Sequence, residues 1–442
     1  MEQDSTKQKL ARGAWSSQAG FIAASVGSAV GLGNVWRFPY VAGENGGGAF
    51  VLAYLISVAL LGVPLMMFEF AAGRRHAGGV FGVFSAIAPR AKYAGAGIAV
   101  IAFLILSYYA VVAGWTLGHA GIMGLGIEPD FEVFSDSWAS LALFGVSVAL
   151  MGAIVLRGVQ GGIEVASRTL LPFLTLALLA IAIYSLTLDG RERALEFLFE
   201  PRFEALREPR VWANAMGQAM FSLSVGTGVL VTYGGYMRSQ TGVRDSTALI
   251  AGADTVIAMV AGIAIFPIVF TFAVAPASGP ELAFDAMPLL FEQLAGGRLV
   301  GTAFYLLLFF AALTSMIAMM EGAAGSLADA LRWTRTRAVW TLLPLLLLTG
   351  SLSALSYSPV HLTVFGEPVL DRMDSVFGTF GLLLSALATS IVIFWVGKPQ
   401  AIADEIGPGA RGFAGKAVIF VGRYLVTGAI TATLLANVLD AI

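Results

Sequence analysis

Residues 28–40, SAVGLGNVWRFPY, interrupt a stretch that could otherwise cross a bilayer. From Gly13 to Trp36 there is no charged side chain, and about 20 apolar residues suffice for a helix to span. Yet Gly27, Gly31 and Gly33 punctuate the run, Asn34 places an amide at depth, and Arg37-Phe38-Pro39 closes it. Broken backbone at membrane depth is tolerated only where it is buried in protein or lines a polar cavity.

The rest of the chain has the composition of a polytopic membrane protein. Of 442 residues, 57% are hydrophobic and 12% charged, with mean hydropathy +0.82; a soluble domain carries about 25% charged residues. The net charge of -2 gives no sign of nucleic-acid binding. The absence of cysteine excludes disulfides, thiolate metal sites and cysteine catalysis. The polar opening MEQDSTKQKLARGAW has no signal-peptide core and reads as a cytoplasmic tail.

After the first run, apolar stretches recur near 48–72, 93–124, 137–156, 166–188, 211–236, 246–275, 299–330, 338–358, 375–397 and 415–439, about eleven in all. They are continuously apolar rather than alternating, which favours helices over a β-barrel. Lys7, Lys9, Arg12, Arg74, Arg75, Arg90, Lys92, Arg157, Arg168, Arg238, Arg244, Arg332, Arg335, Arg337, Lys398, Arg411 and Lys416 fall on one side if the N-terminus is cytoplasmic. With eleven spans the C-terminus then lies outside. The connection 189–210 mixes five arginines with six carboxylates and reads as a solvated external helix pair.

The sixth run repeats the anomaly of the first. Ser222, Ser224, Gly226, Thr227 and Gly228 fall in its middle. Glycines in membrane helices commonly serve close packing. Two glycine pairs beside hydroxyl or amide side chains, each opening a set of five spans, point instead to a transporter built from inverted repeats. The sequences GLGNVW and GTGVLV lack the third glycine and the βαβ context of a dinucleotide site. Asp254 is the sole charge between Asp245 and Glu281, and an ionisable group in a span is a candidate functional site by default. No HExxH or GxSxG motif is present, and His76, His119 and His361 are scattered, so the chain does not read as an enzyme.

Six segments then carry a family resemblance: GSAVGLGNVWRFPYVAGENGGGAF (27–50), GVPLMMFEFAAGR (62–74), SYYAVVAGW (107–115), GQAMFSLSVGTG (217–228), ALTSMIAMMEG (312–322) and LDRMDSVFGTFG (370–381). The chain resembles the neurotransmitter:sodium symporters, most closely their bacterial amino-acid transporters, over nearly its whole length. The resemblance implies an all-α polytopic membrane protein of the leucine-transporter fold, with a 5+5 inverted repeat and broken helices 1 and 6. It implies one transmembrane transporter domain over 1–442: a tail at 1–13, a first repeat at 14–188, a second at 210–397 and helix 11 at 412–440.

The resemblance also implies a site. A substrate carboxylate would meet the N–H groups of Leu32 and Gly33, the Tyr109 hydroxyl and a sodium ion. The amine would meet carbonyls of Ala29, Phe221 and Ser222, with Ser224 assisting; both ends of a zwitterion need partners in a dry pocket. Ser28, Ile105, Tyr109, Phe221, Ser224, Thr227, Ser315 and Met319 would line the side-chain pocket. A first sodium would use Ala29, Asn34, Ser222 and Asp254, and a second Gly27, Val30, Ala311, Thr314 and Ser315. Hard oxygen donors suit sodium rather than a transition metal. Many family members carry asparagine at the Asp254 position and use chloride; the carboxylate here implies that chloride is not required. Arg37 with Asp374 would gate one side, above a lid of Tyr109 and Phe221. Arg12 with Asp329, near Trp15 and Tyr236, would gate the other. Gly162 and Pro172 would form a hinge in helix 5, and Glu69 a structural contact to helix 6.

Together these imply sodium-coupled symport of a neutral L-amino acid, large and hydrophobic or aromatic, by alternating access in the inner (plasma) membrane of a bacterial or archaeal cell. Thr227 leaves room where the leucine-transporter branch has phenylalanine, and Met319 adapts in shape. A small amine or osmolyte is the alternative cargo, and an ion channel the alternative class. Expected partners are the amino acid and the lipid bilayer, not nucleic acid. A monomer suffices for transport, and the sequence does not give the oligomeric state.

Overall fold

The computed structural model describes residues 13–128, 130–274, 282–407 and 412–440. Among these, nine helices are long and apolar enough to cross a membrane: Gly48–His76, Lys92–Leu125, Ala139–Leu156, Val159–Ser185, Val243–Thr271, Gly297–Leu331, Arg335–Ser356, Val369–Val396 and Gly415–Asn437. These are spans 2–5 and 7–11 in the numbering used below. A tenth, span 1, is the bent pair Gln18–Ala29 and Gly33–Glu44, whose halves meet at 49°. Span 6 is the pair Pro209–Ser222 and Val229–Gly235. This arrangement is compatible with the eleven spans expected.

Local chemistry sets both breaks. Ser17 caps the first half of span 1, its hydroxyl accepting from the Gly20 N–H at 3.0 Å. That half ends where Val30 turns extended, at ψ 95°. In the second half, Pro39 lies at the junction where the π-helical turn Gly33–Arg37 passes into the α-helical Phe38–Glu44. In span 6, Ser224, Gly226 and Gly228 all take positive φ, at 54°, 82° and 77°. Gly226 has a second reason to be glycine, since a Cβ there would lie 2.6 Å from Cα of Ala386 on span 10.

The remaining packing relies on small residues, as expected where lipid is as apolar as the interface. Span 2 and the second half of span 6 meet backbone to backbone: a Cβ at Gly234 would stand 2.8 Å from Cα of Phe70. Span 8 packs along span 3 and forms the centre of the bundle, burying Leu307, Ala311, Thr314 and Met316.

One expectation needs correction. The 189–210 connection is not a solvated helix pair. It forms one helix, Arg191–Phe199, and a single 3₁₀ turn, Ala205–Arg207. The helix buries Ala194 and Leu198 and sets Phe197 edge-on to Phe266 and Phe270 of span 7, because Ala194, Phe197 and Leu198 fall on one face at helical spacing. Before span 10 the all-α architecture carries one small addition, the antiparallel pair Thr363–Val364 and Glu367–Pro368. Phe365 and Gly366, at φ 53° and 83°, supply the two left-handed residues of a type I′ turn.

Candidate functional site

The break in span 1 redirects a set of backbone groups. In an unbroken helix the N–H groups of Gly31, Leu32 and Asn34 would bond the carbonyls of Gly27, Ser28 and Val30. They go instead to Asn34 Oδ1 at 3.2 Å, the Tyr109 hydroxyl at 3.1 Å and the Gly31 carbonyl at 3.2 Å. Those three carbonyls are thereby released from the helix ladder. Ser28 O accepts from Ser224 Oγ (3.1 Å) and Ser315 Oγ (3.2 Å), tying spans 1, 6 and 8 together at one point. In span 6 the Gly226 N–H donates to Glu69 Oε1 at 2.7 Å, the contact assigned to Glu69 from sequence.

Between the breaks lies a pocket of about 50 Å³. Each of Ser28, Ile105, Tyr109, Phe221, Ser224, Thr227, Ser315 and Met319 lines it, as do Ala29 and Gly33. Its walls are apolar apart from hydroxyls, with no acid or base on the lining. Leu32 is buried behind Tyr109. The Phe221 ring lies against Gly33, where a Cβ would come within 2.7 Å of it. A larger cavity of about 360 Å³ opens above, on the side away from residues 13–17. Tyr109, Gly33, Phe221 and Leu382 line both.

Beside the pocket, Asp254 is fully buried with Asn34, Ser222 and Tyr54. Its carboxylate accepts from Asn34 Nδ2 at 2.7 Å, Ser222 Oγ at 2.6 Å and Tyr54 Oη at 3.4 Å. A buried carboxylate without a counter-charge is costly, and no lysine or arginine pairs with it among the described residues. Asn34, Ser222, Asp254 and the Ala29 end of the helix supply oxygen donors. These donors are all oxygens with a single carboxylate among them, a set that suits a hard cation rather than a soft transition metal.

The second proposed ion set lies across spans 1 and 8. A Cβ at Gly27 would stand 3.4 Å from Cβ of Thr314, so the two helices touch here. Thr314 Oγ1 bonds Ala311 O at 2.9 Å and Ser315 Oγ reaches the same carbonyl at 3.3 Å. Val30, at the end of the half-helix, sends its N–H to Val26 O at 2.7 Å.

The residues expected to act as gates separate by side. Arg37 and Asp374 both line the larger cavity but make no ion pair. Arg37 instead donates to Gln218 Oε1 at 2.6 Å and lies 5.0 Å over the Phe221 ring. Gln218 in turn donates to Gly33 O at 2.8 Å. On the opposite side Arg12 lies outside the described residues. Asp329 accepts from the Gly79 N–H at 2.8 Å. Trp15 is buried, donating through its backbone to Tyr236 O (3.2 Å) and through its indole to Tyr233 O (3.1 Å). Gly162 lies in the π-helical turn Val159–Glu164 and Pro172 within Val165–Ser185; the two segments form one unbroken span.

Sequence reasoning missed three residues. Gln218 stood inside a quoted motif with no role. Glu321, fully buried on span 8, pairs with Arg335 at 2.5 Å and accepts from Tyr236 at 2.6 Å; its place on the uncharged face of a span was the available signal. Glu164 accepts from the Ser16 N–H at 2.9 Å and pairs with Arg168 at 2.6 Å; only the pattern of a lone acid between basic residues marked it.

The family profile described as "Sodium:neurotransmitter symporter family" matches residues 12–120 and 125–441. The sodium-dependent transporter YhdH of Bacillus subtilis (strain 168) is 37% identical over 427 residues, covering 93% of each chain. The sodium-dependent nutrient amino acid transporter 1 of Drosophila pseudoobscura pseudoobscura is 26% identical, over 91% of this chain and 71% of its own. The crystal structure of MhsT in complex with L-phenylalanine superposes with a TM-score of 0.87 at 37% identity, covering 96% of this chain and all of that one.

Proposed function

This chain belongs to the sodium:neurotransmitter symporter family and is a sodium-dependent membrane transporter; from that premise we propose that it carries a neutral, large hydrophobic or aromatic L-amino acid into the cell. The observation that carries this reading is the pocket between the two helix breaks. It is lined by Gly33 and by the Tyr109 hydroxyl, which accepts from the Leu32 N–H behind it, by Ala29 and Phe221 at the ends of the two half-helices, and by apolar side chains. That arrangement pairs both ends of a zwitterion and gives a side chain nothing polar to require. The phenylalanine in the MhsT structure supports the choice of cargo class.

Two sodium ions travel with the substrate. The first sits among Ala29, Asn34, Ser222 and Asp254 and neutralises the buried carboxylate. The second joins span 1 to span 8 through Gly27, Val30, Ala311, Thr314 and Ser315. Asp254 supplies the negative charge for which other members use chloride, so transport is chloride-independent. The larger cavity faces the cell exterior, with the N-terminus cytoplasmic and the chain in the plasma membrane. In this conformation the Arg37–Asp374 gate stands open and the inner face is closed over Trp15. The Phe221 ring, with Arg37 5.0 Å over it, closes the site above the bound substrate.

Thermal unfolding of purified protein with each of the twenty amino acids, in sodium or in potassium, tests this. A ligand that binds only the native state raises apparent stability. The expected result is a shift with a few bulky neutral amino acids that needs sodium. No sodium-linked shift with any amino acid removes the reading. A shift with small amines or osmolytes alone transfers it to that cargo.

A further inference from the structure

Span 11 carries an arginine that the transport site does not use. Arg423 lies within the apolar segment Gly415–Asn437 and is half-buried at the seam with span 10. A guanidinium at this depth needs partners. Its Nε and Nη2 donate to the Phe394 carbonyl at 2.9 and 2.7 Å. That carbonyl lies in a π-helical turn of span 10, Val392–Val396, and Arg423 in one of span 11, Val421–Val426. Guanidinium has five N–H donors; these two bonds leave three, and no carboxylate pairs with Arg423 among the described residues.

The surroundings say what those donors face. Trp395 stacks on Arg423 at 5.3 Å and its indole donates to Arg423 O at 3.2 Å. Tyr424 packs edge-on to Trp395, and Phe420 on Tyr424. These rings are 50%, 53% and 63% exposed, on a face of the bundle that no other span covers among the described residues. Lys416 is exposed two turns before Arg423 on the same helical face, and Lys398 is exposed just past the end of span 10. Neither lysine forms an ion pair among the described residues. Aromatic rings with unpaired cations at a span's basic end mark the head-group level of the cytoplasmic leaflet.

We propose that Arg423, Lys416 and Lys398, framed by Trp395, Tyr424 and Phe420, bind the phosphodiester of an anionic phospholipid of the inner leaflet. The free edge of the guanidinium takes two phosphate oxygens side by side, a geometry for which arginine is suited. The lysines add charge at the surface, and the exposed rings lie along the acyl chains. A second copy of this chain is disfavoured as occupant, because apposing this face on itself would bring like charges together.

Native mass spectrometry of the full chain tests this by titration with phosphatidylglycerol, phosphatidylcholine and inorganic phosphate. Phosphatidylglycerol should bind at several-fold lower concentration than phosphatidylcholine. Arg423→Gln and Lys416→Gln should each weaken it about fivefold, the worth of one basic side chain near an anionic surface. Arg332→Gln, a cytoplasmic arginine remote from the seam, should leave it unchanged. If Arg423→Gln fails to fold, Arg423→Lys keeps the charge but loses the fork and should show an intermediate loss, and Lys416→Gln touches no helix contact. Equal binding of the two lipids, or unaltered binding in the folded variants, overturns the proposal. So does displacement of the lipid by equimolar inorganic phosphate. A dimer that disappears in Arg423→Gln while lipid adducts persist assigns the face to self-association instead.

Discussion

Glu164 fills the space that any side chain at Gly20 would need: a Cβ built on Gly20 falls onto its carboxylate. The carboxylate accepts from the N–H and hydroxyl of Ser16 and pairs with Arg168. Nearby, Gln160 Nε2 donates to Ala14 O at 2.6 Å, and Arg168 donates to Ser17 Oγ at 2.6 Å. Residues 160–168 of span 5 are thus bonded to the chain leading into span 1. In the proposed alternating-access cycle, opening of the inner face would break this contact.

The first prediction follows. Glu164→Gln removes the charge from this set of bonds, and a hydrogen bond to a charged group is worth about 1.5–3 kcal/mol. It should raise the inner-open population about tenfold. Because the chain has no cysteine, Ser167→Cys, placed one turn away and buried here, gives a clean reporter for a charged thiol reagent. Faster labelling in the Glu164→Gln background is expected. An unchanged rate would show that the latch carries no conformational energy.

The second concerns Asp254. Replacing it with asparagine keeps the shape but removes the carboxylate at the proposed first ion site. Sodium affinity should fall at least about tenfold, since an ion paired with a buried charge loses several kcal/mol when its partner goes. Chloride should partly restore it. Wild-type protein should bind sodium equally in chloride and in gluconate. Loss of transport in gluconate refutes the chloride-independent reading.

The broken helices were legible because their residues violate what a membrane helix permits. Gly31, Gly33 and Asn34, then Ser224, Gly226 and Gly228, are each misplaced in a lipid-facing span, and the fold explains every one. The pocket lining followed from resemblance, since no spacing rule places Ile105 opposite Thr227. The latch and the Glu321–Arg335 pair were not legible. Both depend on partners more than ten residues apart whose meeting is decided by helix packing, and an acid in a basic loop reads as ordinary surface. The hairpin at 363–368 was lost for a different reason: Phe365 offers no local signal for left-handed backbone.

Thr314→Val tests the second ion site. The Thr314 hydroxyl is bonded to the carbonyls of Ala311 and Phe310 in its own helix, and valine has the same outline, so the fold should survive with a small thermal penalty. Substrate binding should then need several-fold more sodium, with a shallower dependence on its concentration. An unaltered sodium dependence in a folded variant removes Thr314 from the ion site.

Thr227 tests the size of the cargo. Its hydroxyl bonds Ser224 O at 2.7 Å within the span 6 break, while its side chain forms part of the pocket wall. Thr227→Phe fills that wall without touching the N–H groups at Leu32 and Gly33 that would hold a carboxylate. Bulky amino acids should lose binding while small ones keep it. The exchange should amount to about 1–3 kcal/mol, a factor of 10 to 200, the range available to an apolar pocket. Competition binding with phenylalanine and alanine reads the ratio directly. Equal losses for both would mean that Thr227 supports the break in span 6 rather than the side-chain pocket, and that size selection resides elsewhere, at Met319 or Ile105.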